Sequence, residues 1–262
     1  MGETSVIVEV RGGAVWATLN RPAALNSITP EIVDGLHAAL DRAENDASIV
    51  AVVIAGNGRA FCAGADLKYV REQCGGDEAA MSRFLDSVLG LLRRIESFPR
   101  PVIAAVQGLA LAGGLEIVLC CDLVIASRSA KLGDAHANFG LLPGGGGSVR
   151  LPRKIGPTRA KYLLYTGEFL PAEELAAWGL INQVVADSEL SDAVERLVGR
   201  LAEKSSLVLR RMKALVDDGL EQPLEVALRQ ELVASAVHGY SHDMREGLAA
   251  FDEKRKPRFL GR

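Results

Sequence analysis

Only four cysteines occur, Cys62, Cys74, Cys120 and Cys121, and none stands at a metal-ligand spacing. Cys120 and Cys121 adjoin within an apolar run, which suits buried reduced thiols in a cytosolic protein rather than a disulfide framework. No apolar run approaches the ~18 residues that span a bilayer, and the N-terminus lacks the basic and apolar regions of a signal peptide. A cytoplasmic protein without membrane attachment is expected. Excess positive charge is also lacking: the net charge of -3 gives no reason to expect nucleic acid as a partner. The glycine run Gly144 to Gly147 is not followed by the Lys-Ser/Thr of a P-loop, and no G-x-G-x-x-G follows a strand. A nucleotide-binding fold is thereby excluded.

What is present suffices for one main domain with a sizeable core: 262 residues, 48% hydrophobic and 24% charged. Val6 to Val10 and Val15 to Leu19, joined at Gly12-Gly13, predict a hairpin. Thr29-Pro30-Glu31 supplies an N-cap, a first-turn proline and an early acid, predicting a helix to about Asn45 with Ile32, Leu36, Ala39 and Leu40 on one face. Val50 to Ala55 reads as a buried strand, and the polar, glycine-containing residues 72 to 80 as a mobile loop before a helix over 80 to 97. Leu123 to Ala126 predicts a further strand, and Ser148 can cap a helix to about Ile155. Strands and helices alternate to about residue 185, indicating βαβ units. From Glu189 the pattern is helical, with segments near 189 to 203, 205 to 219, 223 to 238 and 241 to 252.

The stretch from Pro101 to Asp122 organises the rest. Val102 to Val106 reads as a strand covered on both faces, Gly108, Gly113 and Gly114 interrupt it, and Leu115 to Cys121 reads as a core helix starting at Gly113. Backbone N–H groups at such a helix start have no intrahelical partner and suit a developing anion. Glu116 is the only ionisable group between Arg100 and Asp122. Desolvation in so apolar a helix raises a carboxyl pKa, as a general acid or base near neutrality requires; the alternative is a first-turn Glu that complements the helix dipole. A second glycine turn, Gly56 to Asp66, follows Val50 to Ala55, and its small residues Ala63, Gly64 and Ala65 allow close approach to the backbone. One N–H from each turn could converge on a single carbonyl oxygen.

Phe61-Cys-Ala-Gly-Ala-Asp66 and Gly108-Leu-Ala-Leu-Ala-Gly-Gly-Leu-Glu116 together resemble the enoyl-CoA hydratase/isomerase (crotonase) superfamily. The resemblance continues through Gly140-Leu-Leu-Pro-Gly-Gly-Gly-Gly147, Arg150-Leu-Pro152 and Ala176-Ala-Trp-Gly-Leu180 to Phe251-Asp-Glu-Lys-Arg-Lys256. It implies an α/β fold: a spiral β/α acyl-CoA-binding core over 1–188 and a C-terminal helical trimerisation region over 189–262. It also implies a homotrimer or dimer of trimers, and an acyl-CoA thioester as substrate, with coenzyme A part of that substrate and no separate cofactor. The carbonyl would lie in an oxyanion hole whose donors map onto the N–H groups of Ala63 and Gly113. The adenine pocket maps onto Ala24, Leu25, Ala65, Asp66 and Leu67, and Lys254 onto a phosphate contact.

The sequence departs from the family at the second catalytic position. Hydratases of the family hold water between two glutamates; one aligns with Glu116, and His136 stands in the place of the other. An imidazole can still exchange protons near neutrality, or it can merely fill a loop. Three readings follow. The favoured one is an enoyl-CoA hydratase-type lyase using Glu116 with His136 or water. The second is a C–C bond hydrolase of a β-diketone or cyclic β-keto thioester, which resembles members with a His in this loop; their partner Asp is replaced here by Gly144 to Gly147, although Asp134 could substitute. The third is a catalytically weak acyl-CoA binding protein that keeps only the oxyanion hole.

Overall fold

Short apolar runs separated by glycine turns feed two sheets in alternation. The computed structural model describes residues 4–262. Its strands are β1 (Val6–Arg11), β2 (Ala14–Leu19), β3 (Ala51–Gly56), β4 (Ala60–Cys62), β5 (Val102–Val106), β6 (Leu109–Leu111), β7 (Leu123–Ser127), β8 (Lys131–Gly133), β9 (Leu170–Pro171) and β10 (Gln183–Val185). A six-stranded sheet has the order β1-β2-β3-β5-β7-β10, and a four-stranded sheet the order β4-β6-β8-β9. Three times in succession the chain leaves the large sheet (β3, β5, β7) and enters the small one a few residues later (β4, β6, β8), which makes the spiral. Among the strands of the described residues, β1–β2 and β8–β9 pair antiparallel and the other pairs are parallel. The parallel strands β4, β6 and β8 therefore end on the same edge of the small sheet.

Burial on both faces explains why the large-sheet strands read as continuous apolar runs rather than alternating ones. Val15, Ala17, Val52, Ile54, Val102 and Ala104 face the main core. Their neighbours Trp16, Val53, Ile103, Ala105 and Ile125 face the other side, where Leu190, Ala193, Val194 and Val198 cover them. Each large side chain so buried contributes about 1.5–3 kcal/mol. Helix Leu190–Ala202, expected as part of the helical tail, is thus the lid on the second face of the core sheet. The following helices, Ser206–Leu220, Leu224–His238 and His242–Asp252, carry few buried residues. Lys213 fastens the first of them to the core through Asp122, at 2.8 Å.

Several local expectations need correction. Helix Pro30–Glu44 begins after Thr29 as expected, but the Thr29 hydroxyl makes no capping bond. Residues 72 to 80 are not a long loop. A π-helical turn runs over Val70–Cys74, and Asp77 caps the helix Glu78–Glu96 by accepting the Ala80 N–H at 3.0 Å. Ser148 caps nothing: it is the second residue of helix Gly147–Ile155, which begins after Gly146 in the left-handed region.

Candidate active site

The three loops that leave the carboxyl ends of β4, β6 and β8 meet at the edge of the small sheet. This is the place where parallel α/β sheets present ligand sites. The β6 loop turns into helix Gly113–Cys120, whose eight residues are all buried. Gly114 is required there because a Cβ would strike the Cys62 carbonyl of the neighbouring strand. Ala112, immediately before the helix, has φ 49° and ψ −116°, a sparsely populated conformation for a residue with a side chain. Ala135, between Asp134 and His136, has φ 61°. Strain of about 1–3 kcal/mol at each position is held in place by the surrounding packing.

The first glycine turn differs from expectation. The Ala63 N–H donates to the Leu25 carbonyl at 3.0 Å, so it is occupied. Leu25 and Asn26 are both left-handed, at φ 52° and 56°, and Ile28 N–H donates to the Gly64 carbonyl at 2.8 Å while Asp66 N–H donates to that of Ile28 at 3.0 Å. This pairing consumes Ala63 and leaves the Ala65 N–H, like that of Gly113, without an acceptor among the described residues. The two turns are in contact: a Cβ on Gly113 would lie 3.6 Å from the Ala65 nitrogen, and one on Gly64 would lie 3.2 Å from the Gly113 nitrogen. The converging donors are therefore Ala65 and Gly113. Sequence could not separate Ala63 from Ala65, since both are small and only the strand pairing decides.

Glu116, 3% exposed, points into a cavity of about 200 Å³ that His136, Gly113 and Ala65 also line. Its Oε1 accepts the N–H of Gly145 at 2.9 Å and of Gly147 at 2.8 Å. A residue from one helix thus serves the start of another, helix Gly147–Ile155, where the dipole favours negative charge. The glycines are there for space: a Cβ on Gly145 would lie 2.5 Å from Glu116 Oε2. Burial pushes the Glu116 carboxyl above its ordinary pKa; the Gly147 and Gly145 N–H groups and His136 oppose that rise, and Asp134 adds to it.

His136 begins a short 3₁₀ turn, His136–Phe139, after β8. Its Nδ1 lies 3.0 Å from Oδ1 of Asp134, whose side chain is 1% exposed. Burial lowers the His136 pKa, but the hydrogen bond and charge of Asp134, with the charge of Glu116, outweigh it and raise the pKa above the usual histidine value. Asp134 and the donors Gly145 and Gly147 are the principal site groups that sequence reasoning missed or left open. Arg150 is another: it donates to the Gly145 carbonyl at 2.7 Å and grips Glu96 through two bonds of 2.8 Å. The signal available was the glycine run standing just before Arg150.

The remaining expected residues divide. Leu67 lines the cavity, and Ala24 and Leu25 lie in the turn that pairs with Ala63 to Asp66. Asp66 is occupied structurally, accepting Lys68 and Tyr69 N–H at 3.1 Å and pairing with Arg21 at 3.0 Å. Lys254 is exposed beyond helix His242–Asp252 and is not brought to the cavity. All four thiols are buried and free, and burial pushes those of Cys62 and Cys120 up to about 12, so neither is a nucleophile near neutrality.

Fold and site together define a spiral α/β protein in which the buried Glu116 carboxyl and the half-buried His136 ring stand beside two backbone N–H groups that have no acceptor among the described residues. The sequence profile of the enoyl-CoA hydratase/isomerase family matches residues 9–262, and the chain belongs to that family. It is 35% identical over 265 residues to the crotonyl-CoA hydratase of Syntrophomonas wolfei subsp. wolfei, covering 100% of each chain. It is 36% identical over 258 residues to the 1,2-epoxyphenylacetyl-CoA isomerase of Escherichia coli, covering 98% of each. A crystal structure of enoyl-CoA hydratase from Bacillus anthracis superposes with a TM-score of 0.93 at 34% identity, over 98% of this chain and 100% of that one. The spiral core with its helical C-terminal region is thus a shared crotonase architecture, and the family acts on acyl-CoA thioesters.

Proposed function

We propose that the protein is an enoyl-CoA hydratase-type lyase that adds water across the 2,3 bond of a 2-enoyl-CoA, with Glu116 and His136 as its acid/base pair. The observation that carries this reading is that both groups line one cavity, with Glu116 held by two backbone donors and His136 by Asp134. The thioester oxygen lies between the N–H groups of Ala65 and Gly113, where negative charge accumulates as the enolate forms. Preorganised donors of this kind contribute about 3 kcal/mol each. Glu116, as carboxylate, takes a proton from water as its oxygen bonds to Cβ. His136, as imidazolium backed by Asp134, delivers a proton to Cα. Asp134 therefore stands where it can orient the ring and stabilise its charged form. Coenzyme A enters as part of the substrate.

The Asp134–His136 pair also favours a second reading. An imidazole backed by a carboxylate can activate water for attack on a ketone, as C–C hydrolysis of a cyclic β-keto thioester requires. Incubation with 2-enoyl-CoAs and a cyclic β-keto-CoA, read by mass spectrometry, separates the two. The proposal expects a water adduct of the enoyl thioester; ring opening of the β-keto substrate with no hydration would refute it. His136→Glu, which restores two facing carboxylates, should retain hydration in the first case and abolish turnover in the second.

A further inference from the structure

The composition of the cavity wall bears on the acyl group itself, an inference that rests on the hydratase-type reading. Apart from Glu116 and His136, the side chains that line it are apolar. Its deep part is fixed by Ile28, Phe84 and Val88, at 2%, 4% and 8% exposure. These belong to packed elements, and Phe84 is braced by Tyr69, whose ring lies 5.3 Å away at a 50° tilt. The slot is therefore preformed rather than made by a mobile loop. Its mouth carries Leu85, Leu141 and Leu142, which are 41%, 45% and 89% exposed. An isolated exposed leucine needs no explanation, but three at the rim of one apolar slot form a continuation of its wall.

We propose that this slot selects an unsubstituted, medium-length apolar acyl chain, of about eight carbons, over the crotonyl group. A volume of about 200 Å³ accommodates on the order of six or seven water-sized groups at ~30 Å³ each. A four-carbon acyl group leaves much of that wall uncovered. A longer chain covers the slot and then the leucines at the mouth. A polar or charged substituent beyond Cβ finds no side-chain partner there among the described residues, because the two polar side chains, Glu116 and His136, are committed to the reacting atoms. Each methylene that moves from water into the slot is expected to raise kcat/KM about fourfold.

The test compares crotonyl-CoA, 2-hexenoyl-CoA and 2-octenoyl-CoA as substrates, and butyryl-, octanoyl- and glutaryl-CoA as ligands by calorimetry. The expected result is a kcat/KM for 2-octenoyl-CoA on the order of a hundredfold above that for crotonyl-CoA, with octanoyl-CoA binding more tightly than butyryl-CoA and glutaryl-CoA more weakly than either. Leu85→Asn and Leu142→Asn, at exposed positions that do not threaten folding, should each lower the octenoyl-to-crotonyl ratio several-fold. A kcat/KM that is equal or higher for crotonyl-CoA would overturn the inference and leave the hydratase reading intact. If no enoyl-CoA is hydrated, that reading fails, and the saturated ligands still decide the slot: equal Kd values for butyryl- and octanoyl-CoA overturn the inference.

Discussion

Asp134 Oδ1 stands 3.0 Å from His136 Nδ1, and that contact makes a half-buried ring hold its proton more tightly than burial alone would allow. Asp134→Asn keeps the shape and removes the charge. The limb of the kcat/KM profile that belongs to His136 should therefore move to lower pH, with activity reduced. The same linkage has a stability sign. A histidine whose folded pKa is raised contributes stability that is fully present below its unfolded pKa of about 6.5 and is lost as pH rises through the folded value. Thermal melts on both sides of that window should show this slope in the wild type and a weaker one in Asp134→Asn. A His136 limb unmoved by the substitution would remove Asp134 from the site.

Glu116→Gln separates chemistry from architecture. The amide oxygen can still accept the Gly145 and Gly147 N–H groups, so the glycine loop should stay in place. Proton transfer is lost, and kcat should fall at least about a hundredfold with acyl-CoA binding largely retained. Single-turnover kinetics alongside a binding titration measure the two separately. Parallel loss of binding would instead assign Glu116 a structural role.

Much of this architecture is legible in the sequence because the strands of the large sheet are buried on both faces, and glycines mark the first two crossings to the small sheet, at Gly56 to Gly58 and at Gly108, although Arg128-Ser129-Ala130 makes the third. Glu116 stands out as the lone carboxyl group in an apolar helix, and its burial pushes its pKa in the direction expected from that isolation. The choice between Ala63 and Ala65 was not legible, because it depends on the pairing of residues 25 to 28 with residues 63 to 66. Nor was the cap of helix Gly147–Ile155, whose acceptor lies about thirty residues away on another helix. Local rules suggested Ser148 since they see only neighbours in sequence. Long-range partners of backbone N–H groups were the principal information missing.

We propose that the chain assembles as a trimer or dimer of trimers through its C-terminal helices. On helix Ser206–Leu220, Leu207 is buried within the subunit, and Leu209 and Leu215 are partly covered. The exposed stripe is Met212, Val216 and Leu220, at 58%, 60% and 80% exposure and four residues apart on one helix face. Leu232, Val233 and Val237 extend the apolar surface on the next helix. Sedimentation velocity at micromolar concentration should give a trimer or hexamer, and Val216→Glu with Leu220→Glu should shift it toward smaller species. A wild-type monomer would refute the assignment.

Arg150 is the group through which the glycine loop is held, and its effect on Glu116 can be measured apart from stability. One guanidinium nitrogen donates to the Gly145 carbonyl at 2.7 Å while two others clasp Glu96 at 2.8 Å, joining the end of helix Glu78–Glu96 to the loop. The loop in turn presents two N–H groups to Glu116 Oε1, and those donors oppose the rise in its pKa that burial causes. Arg150→Lys keeps the charge and loses the planar fork. The loop should then sit less accurately, and kcat should fall about ten- to a hundredfold with a smaller change in KM. Weaker donation to Glu116 should also move its limb in the pH profile to higher pH. Glu96→Gln, which keeps an acceptor for the guanidinium but not the charge, should cause a smaller change in the same direction. A purely structural role would lower Tm without moving the Glu116 limb, and that outcome would rule out Arg150 as the residue that positions the Glu116 carboxylate.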